Sequence, residues 1–291
     1  MSTKKIDRIL RPPPPHMVGD GFRVHSFLPG DGRLGKQRMS PFFLLDYGSL
    51  VEFSPTDTPR GVGVHPHRGF ETVTIAYKGQ IAHHDSAGNQ GVIGEGDVQW
   101  MTAASGLLHK EYHEESFSRK GGPFQMVQIW VNLPAKHKMD PPAYQEITNE
   151  KMGKHILPNE QGFVEVIAGQ FKGSKGPAHT FTPIEMYNLK LRSDAQLHLS
   201  LPAHYNTALL MVQGRAVING EDAPTDHFVL FANEGEDIEI NASEESVILL
   251  LSGEPIQEPI AAYGPFLMNH WSEIEQAIQD FNNGKFGLLE D

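Results

Sequence analysis

Gly63-Val-His65-Pro-His67-Arg-Gly-Phe-Glu71-Thr-Val-Thr-Ile-Ala-Tyr-Lys-Gly79 reads as one extended strand. Successive side chains on a strand point to opposite faces. On that spacing His65, His67 and Glu71 share a parity with Val73, Ile75 and Tyr77, while Thr72, Thr74 and Lys78 take the other. The expectation is two imidazoles and a carboxylate at one end of an inward, otherwise apolar face. A second stretch, Gly106-Leu-Leu-His109-Lys-Glu111-Tyr-His113, puts His109, Glu111 and His113 on one face in the same way. Together His-x-His and His-x-Glu offer a nitrogen and oxygen cage suited to a divalent metal. Parity alone leaves Glu71 and Glu111 as alternative carboxylate ligands.

Composition narrows the chemistry. There is no cysteine, which excludes disulfides, thiolate metal sites and a cysteine nucleophile. The net charge of −12 and the lack of any Lys/Arg-rich run argue against nucleic-acid binding. The N-terminal Met-Ser-Thr-Lys-Lys-Ile-Asp lacks the apolar run of a signal peptide, and no stretch has the length of a membrane span. A soluble, cytoplasmic protein, monomeric and without membrane contact, is the expectation. With 15 histidines, chance pairs must occur, so His83, His84, His113, His179, His198, His204 and His227 are read as ordinary polar residues.

The 29 glycines and 21 prolines suit many short strands and turns. Arg11-Pro-Pro-Pro-Pro15 reads as an extended arm, and Gly30–Gly35 as a turn. Strands are expected at Pro41–Tyr47, Gln80–Asp85, Gly96–Thr102 and Pro123–Leu133. The proline-rich run from Pro134 to Gln145 is the linker candidate, dividing the chain into 1–138 and 139–291. Beyond it, Asn206-Thr-Ala-Leu-Leu-Met-Val-Gln-Gly214 overlays Glu71–Gly79, with Thr second and Gly last in both. A duplicated β domain accounts for this. In the tail, Trp271, Ile274, Ala277, Ile278 and Phe281 have helical spacing, Ser272-Glu-Ile-Glu275 has capping-box form, and Gly284 stands where a helix ends.

His65-Pro-His67-Arg-Gly-Phe-Glu71-Thr resembles the first signature of the cupin superfamily. More closely, the chain resembles the pirin family. The matching stretches are Val64–Val73, Gly96–Ala104, Gly106–Glu111, Gln128–Lys136, Gly264–Asn269 and Ile278–Gly287. The resemblance implies an all-β protein of two tandem cupin jelly-roll barrels with a short C-terminal helix and one divalent metal in the first barrel. It implies His65, His67, His109 and Glu111 as the ligands, with Glu71 a neighbouring or pocket residue. The second half shows no His-x-His before Asn206, so no metal is expected there.

Three imidazoles and a carboxylate fit Fe(II) best; the ligands alone also admit Ni, Mn, Co, Cu or Zn. Val73, Ile75, Phe70 and Trp100 are the candidates for apolar walls around the ion. Pirins resemble quercetinases, which cleave a flavonol such as quercetin with O₂ and release carbon monoxide. The implied activity is quercetin 2,3-dioxygenase, with Glu111 as the catalytic proton acceptor. The alternative implied by the family is an iron-dependent regulatory protein that binds a protein partner as a transcription cofactor. A metal-binding bicupin without catalysis is the third reading.

Overall fold

The computed structural model describes residues 2–29 and 34–290. Most of the turn read at Gly30–Gly35 therefore lies outside the described residues. The described chain is built of short strands, with one six-residue helix at Glu115–Lys120 and one longer helix at Trp271–Asn282. It packs into two compact units, neither continuous in sequence. One comprises Met1–Pro13, Arg38–Ser40 and Glu150–Pro255; the other comprises Pro14–Gln37, Pro41–Asn149 and Ile256–Asp291. Where the sequence reading divides the chain linearly near 140, the first thirteen residues group with the later barrel and the last thirty-six with the earlier one.

Each unit is an antiparallel jelly roll made from a seven-stranded and a four-stranded sheet. In the histidine-bearing unit the large sheet runs Ala143–Ile147, Val98–Thr102, Phe70–Lys78, Gly122–Asn132, Phe42–Phe53, Phe22–Leu28, His16–Val18. Its small sheet runs Gly61–His67, Leu107–His113, Ile81–Asp85, Gln90–Ile93. The other unit repeats this connectivity. Asn206–Gln213 lies between Phe228–Phe231 and Ser246–Gly253, just as Phe70–Lys78 lies between Val98–Thr102 and Gly122–Asn132. Two cupin barrels built from a duplicated pattern are the observed architecture.

The two barrels differ in what they bury. In the later one, Leu197 and Leu199 pair with Ile240 and Ile238 across the small sheet, and all four belong to a continuous apolar core. In the earlier one, the strands at the same place in the topology carry His65, His67, His109 and Glu111.

The opening stretch of sequence is two strands, not one. Gly61–His67 belongs to the small sheet and Phe70–Lys78 to the large one. The chain turns between them at Arg68-Gly69, where Gly69 has φ +91°. That turn resets the alternation. Thr74 donates to Glu111 at 3.1 Å, so the inward parity on the second strand is Phe70, Thr72 and Thr74. Glu71, Val73 and Ile75 lie on the opposite face, beside Thr102, Trp100 and Val98 of the neighbouring strand.

Two other segments depart from the sequence reading. The proline-rich run is built into the first barrel: Lys138 is buried, and Ala143–Ile147 joins the large sheet. The tail helix is capped by Glu273, whose carboxylate accepts from the backbone N–H of His270 at 2.8 Å, and not by the Ser272–Glu275 pair. Its buried positions are Ile274, Ala277 and Asp280, leaving Trp271 and Phe281 exposed. A charged residue replaces the expected aromatic in the buried stripe because it has a buried charged partner, Arg68.

A β-carbon on Gly69 would sit 2.0 Å from the Leu267 carbonyl oxygen, at a φ that L-residues rarely adopt. Gly69→Ala is expected to cost roughly 2–4 kcal/mol of stability, read as a shift in the urea midpoint of the protein.

Candidate metal centre

The small sheet aims three imidazoles at one point. His109 stands directly opposite His65 in the ladder, and Leu107 opposite His67. Burial alternates along Leu107–His113, with His109, Glu111 and His113 inside. Each of His65, His67 and His109 presents a ring nitrogen within 4.8 Å of the others. The ring centroids are 4.2 Å apart for His65 and His109, 4.7 Å for His67 and His109, and 4.8 Å for His65 and His67. Nitrogens sharing one ion at about 2.1 Å lie no more than about 4.2 Å apart, so a small closing motion brings the cluster to ligand geometry.

The outer nitrogens of two rings are held by backbone carbonyls. His65 Nδ1 lies 2.8 Å from Gly63 O, and His67 Nδ1 lies 3.4 Å from Pro265 O. Such contacts fix the tautomer that leaves the other nitrogen free to face an ion. His109 is different. It is 1% exposed, and both of its ring nitrogens are buried without a hydrogen-bond partner. Burial pushes His67 and His109 well below the usual imidazole pKa, and the neighbouring imidazoles add to the effect. Neutral imidazole is the form that binds a metal. The donor set therefore fits a divalent ion, which would give His109 the partner it lacks.

Glu111 lines a cavity with His65, though its carboxylate, like that of Glu71, is not among the three clustered ligand atoms. Thr74 and the side-chain amide of Gln128 donate to its two oxygens, at 3.1 and 2.7 Å. Burial raises its pKa, while His65 and the two donors oppose that shift. Glu111 and His65 line a cavity of about 40 Å³ together with Asp46, Gln128, Val18 and Met126. Burial raises the Asp46 carboxyl too, against a hydrogen bond from Ser26.

The remaining sequence candidates fall elsewhere. Glu71 is outside the imidazole group and accepts from Thr102 at 2.7 Å. Burial pushes its carboxyl up to about 7, against that hydrogen bond. Of the four expected apolar walls, Phe70 packs on His67, with centroids 5.0 Å apart, while Val73 and Trp100 pair on the far face of the sheet. Trp130, unnoticed in the sequence, stacks on Phe70 at 4.2 Å and meets His67 edge-on at 5.4 Å. His113 shares the parity of His109 but sits in an aromatic cluster with Phe22, Phe53 and Phe124, bonded to Gly21 O. Thr74, Asp46, Gln128 and Trp130 all sit on strands that the sequence revealed. For Thr74, Asp46 and Gln128 the available signal was a polar residue inside an otherwise apolar run; Trp130 gave none.

Two jelly rolls in tandem, one holding an imidazole cluster, define a bicupin. The comparisons place it more narrowly: the pirin family model matches residues 21–131, and the pirin C-terminal cupin domain matches residues 186–287. A pirin-like protein of Solanum lycopersicum is 37% identical over 274 residues, covering 93% of this chain and 89% of that one. The chain belongs to the pirin family. A quercetin 2,3-dioxygenase structure from Acinetobacter baumannii superposes with a TM-score of 0.93 at 43% identity, covering 99% of this chain and all of that one. A bacterial pirin from Escherichia coli in complex with nickel(II) shares the fold, with a TM-score of 0.63 at 21% identity over 86% of this chain and all of that one. No helix among the described residues is long and apolar enough to cross a membrane.

The placement of Glu71 has a measurable consequence. Below its unfolded pKa of about 4.5 the carboxyl is neutral in both states. Between there and about 7 the unfolded chain ionises while the folded protein does not, so stability falls by about 1.4 kcal/mol per pH unit and then levels off. Glu71→Gln is therefore expected to gain about 2–3 kcal/mol more at pH 8 than at pH 5 in urea unfolding, with metal stoichiometry unchanged.

Proposed function

We propose that this pirin is a metal-dependent dioxygenase acting on a flavonol such as quercetin, with His65, His67, His109 and Glu111 holding one divalent ion. Fe(II) is the first candidate. Nickel stays among the alternatives, as does each of Mn, Co, Cu and Zn. The observation that carries the reading is His109, buried among two other imidazoles with neither ring nitrogen hydrogen-bonded. Similarity to the Acinetobacter quercetin 2,3-dioxygenase supports the substrate class. An ion held by these residues supplies Lewis acidity and a centre for dioxygen chemistry.

The protein's own groups do the rest. Glu111 takes the proton of the flavonol hydroxyl. Thr74 and Gln128 keep its carboxylate aimed while it does so. Asp46 places a second carboxyl on the wall of the same cavity. Phe70 and Trp130 pack against His67 and keep water from that side.

Size sets a condition on this reading. A cavity of about 40 Å³ holds a few water-sized molecules, whereas sites for drug-sized ligands run to roughly 300–1,000 Å³. A flavonol enters only when a wall moves. Val18 lines the cavity from His16–Val18, an edge strand that pairs with Phe22–Leu28 alone.

The test is full-length protein reconstituted in turn with Fe(II), Ni(II), Mn(II), Co(II), Cu(II) and Zn(II), followed by flavonol absorbance and carbon monoxide release in air. At least one metal form is expected to consume quercetin, with no turnover in His67→Ala. Glu111→Gln is expected to lower kcat by about 10²–10⁴-fold. Loss of quercetin no faster than in the His67→Ala control, with every metal, would end this assignment.

A further inference from the structure

Arg68 follows the second imidazole of the His-x-His pair directly, and the C-terminal segment holds it. Its guanidinium meets Asp280 Oδ2 at 2.9 Å, donates to Ser105 O at 2.7 Å and lies 4.7 Å from the centre of the Phe286 ring. Both partners of the ion pair are buried. Asp280 Oδ1 is held in turn by Lys285 at 2.9 Å and Gln276 at 2.8 Å. The backbone is gripped as well. Arg68 N–H donates to Pro265 O at 3.4 Å, and Leu267 N–H donates to Arg68 O at 3.0 Å. The Lys138 ammonium ties Gly69 O to Leu267 O, at 2.6 and 2.8 Å.

The consequence falls on His67. A ligating imidazole needs a fixed acceptor for one ring nitrogen so that the other points at the ion. For His65 that acceptor is local, the carbonyl of Gly63. For His67 it is the carbonyl of Pro265, far away in sequence and located by the same segment that grips Arg68. A buried ion pair contributes little net stability compared with a well-packed apolar pair. Its effect here is geometric.

We propose that the segment Pro265–Phe286 is a positioning part of the metal site, locked by the Arg68–Asp280 pair, so that the four ligands bind the ion weakly once that pair is broken. The inference rests on the metal-site reading above. Asp280 touches neither ion nor substrate and acts only through Arg68, His67 and Pro265.

The experiment uses the full chain, with Zn(II) titrated against a chromophoric chelator and the melting temperature of the metal-free protein measured alongside. The variants are Asp280→Asn, Asp280→Ala, Asp280→Glu, His67→Ala and Phe117→Ala. Phe117 packs in the aromatic cluster around His113. Asp280→Asn and Asp280→Ala are expected to weaken zinc binding about 10–100-fold, with Asp280→Glu recovering part of the loss. Phe117→Ala is expected to lower the melting temperature while leaving zinc affinity within about twofold of the parent. Should Asp280→Ala fold poorly, Asp280→Asn carries the test, since it keeps the side chain's shape. The positioning role is overturned if both Asp280→Asn and Asp280→Ala bind zinc like the parent, or if Phe117→Ala weakens binding as much as they do. Unchanged zinc binding in His67→Ala would overturn the underlying metal-site reading instead.

Discussion

Burying an imidazole that has nothing to bond is the constraint from which the rest of this barrel follows. A buried polar atom without a partner costs about 1–3 kcal/mol. His109 carries two such atoms. The strands around it must be rigid enough to impose that cost, and they are. Leu107–His113 is an inner strand of the small sheet, laddered on both sides. An ion among the rings would return the cost as binding energy, so metal occupancy and folding stability are linked in this unit. The depressed pKa of His67 and of His109 expresses the same fact, since burial that disfavours imidazolium keeps the rings in the form a metal needs.

The second barrel shows how few side chains separate a site from a core. Its small sheet repeats the strand order of the first. At the pairings where the first barrel has imidazoles, it has Leu197, Leu199, Ile238 and Ile240, packed into one apolar cluster with Val166, Leu189 and Leu250. Those four side chains offer an ion no nitrogen or oxygen. The jelly roll itself is indifferent to the chemistry, which comes from the handful of residues on two strands.

Sequence parity located most of this and failed at one glycine. His65 with His67, and His109 with Glu111, were legible as face-sharing pairs because each pair lies within a single strand, where alternation holds; the preference for Glu111 over Glu71 came from the family resemblance. Glu71 and its neighbours were misplaced because the reading carried one strand's parity across Arg68-Gly69. Nothing in residue spacing marks a change of sheet; the positive φ of Gly69 and its approach to Leu267 do. The same limit explains Asp280. Helical periodicity identifies an apolar stripe, but a buried aspartate is visible only once its arginine, 212 residues away, is seen beside it. Lys138 was read as part of a linker for the same reason, because two of its three acceptors, the carbonyls of Gly69 and Leu267, come from distant segments.

Access to the cavity is decided by which of its walls can yield. Gln128 and Met126 belong to Gly122–Asn132, an inner strand laddered on both sides, and Glu111 belongs to another. Moving either breaks two ladders. Val18 is on His16–Val18, a three-residue edge strand with one neighbour. The turn beyond it is fastened at Asp20, whose N–H donates to Gly61 O at 3.1 Å and whose carboxylate accepts from Gly61 N–H at 2.7 Å, and at Gly21, whose carbonyl lies 2.8 Å from His113 Nε2. Lifting His16–Val18 breaks one ladder, whereas moving an inner strand breaks two. Gly61–His67, which also lines the cavity and also has one neighbour, carries His65 and His67, so movement of His16–Val18 would admit a large ligand without displacing those rings.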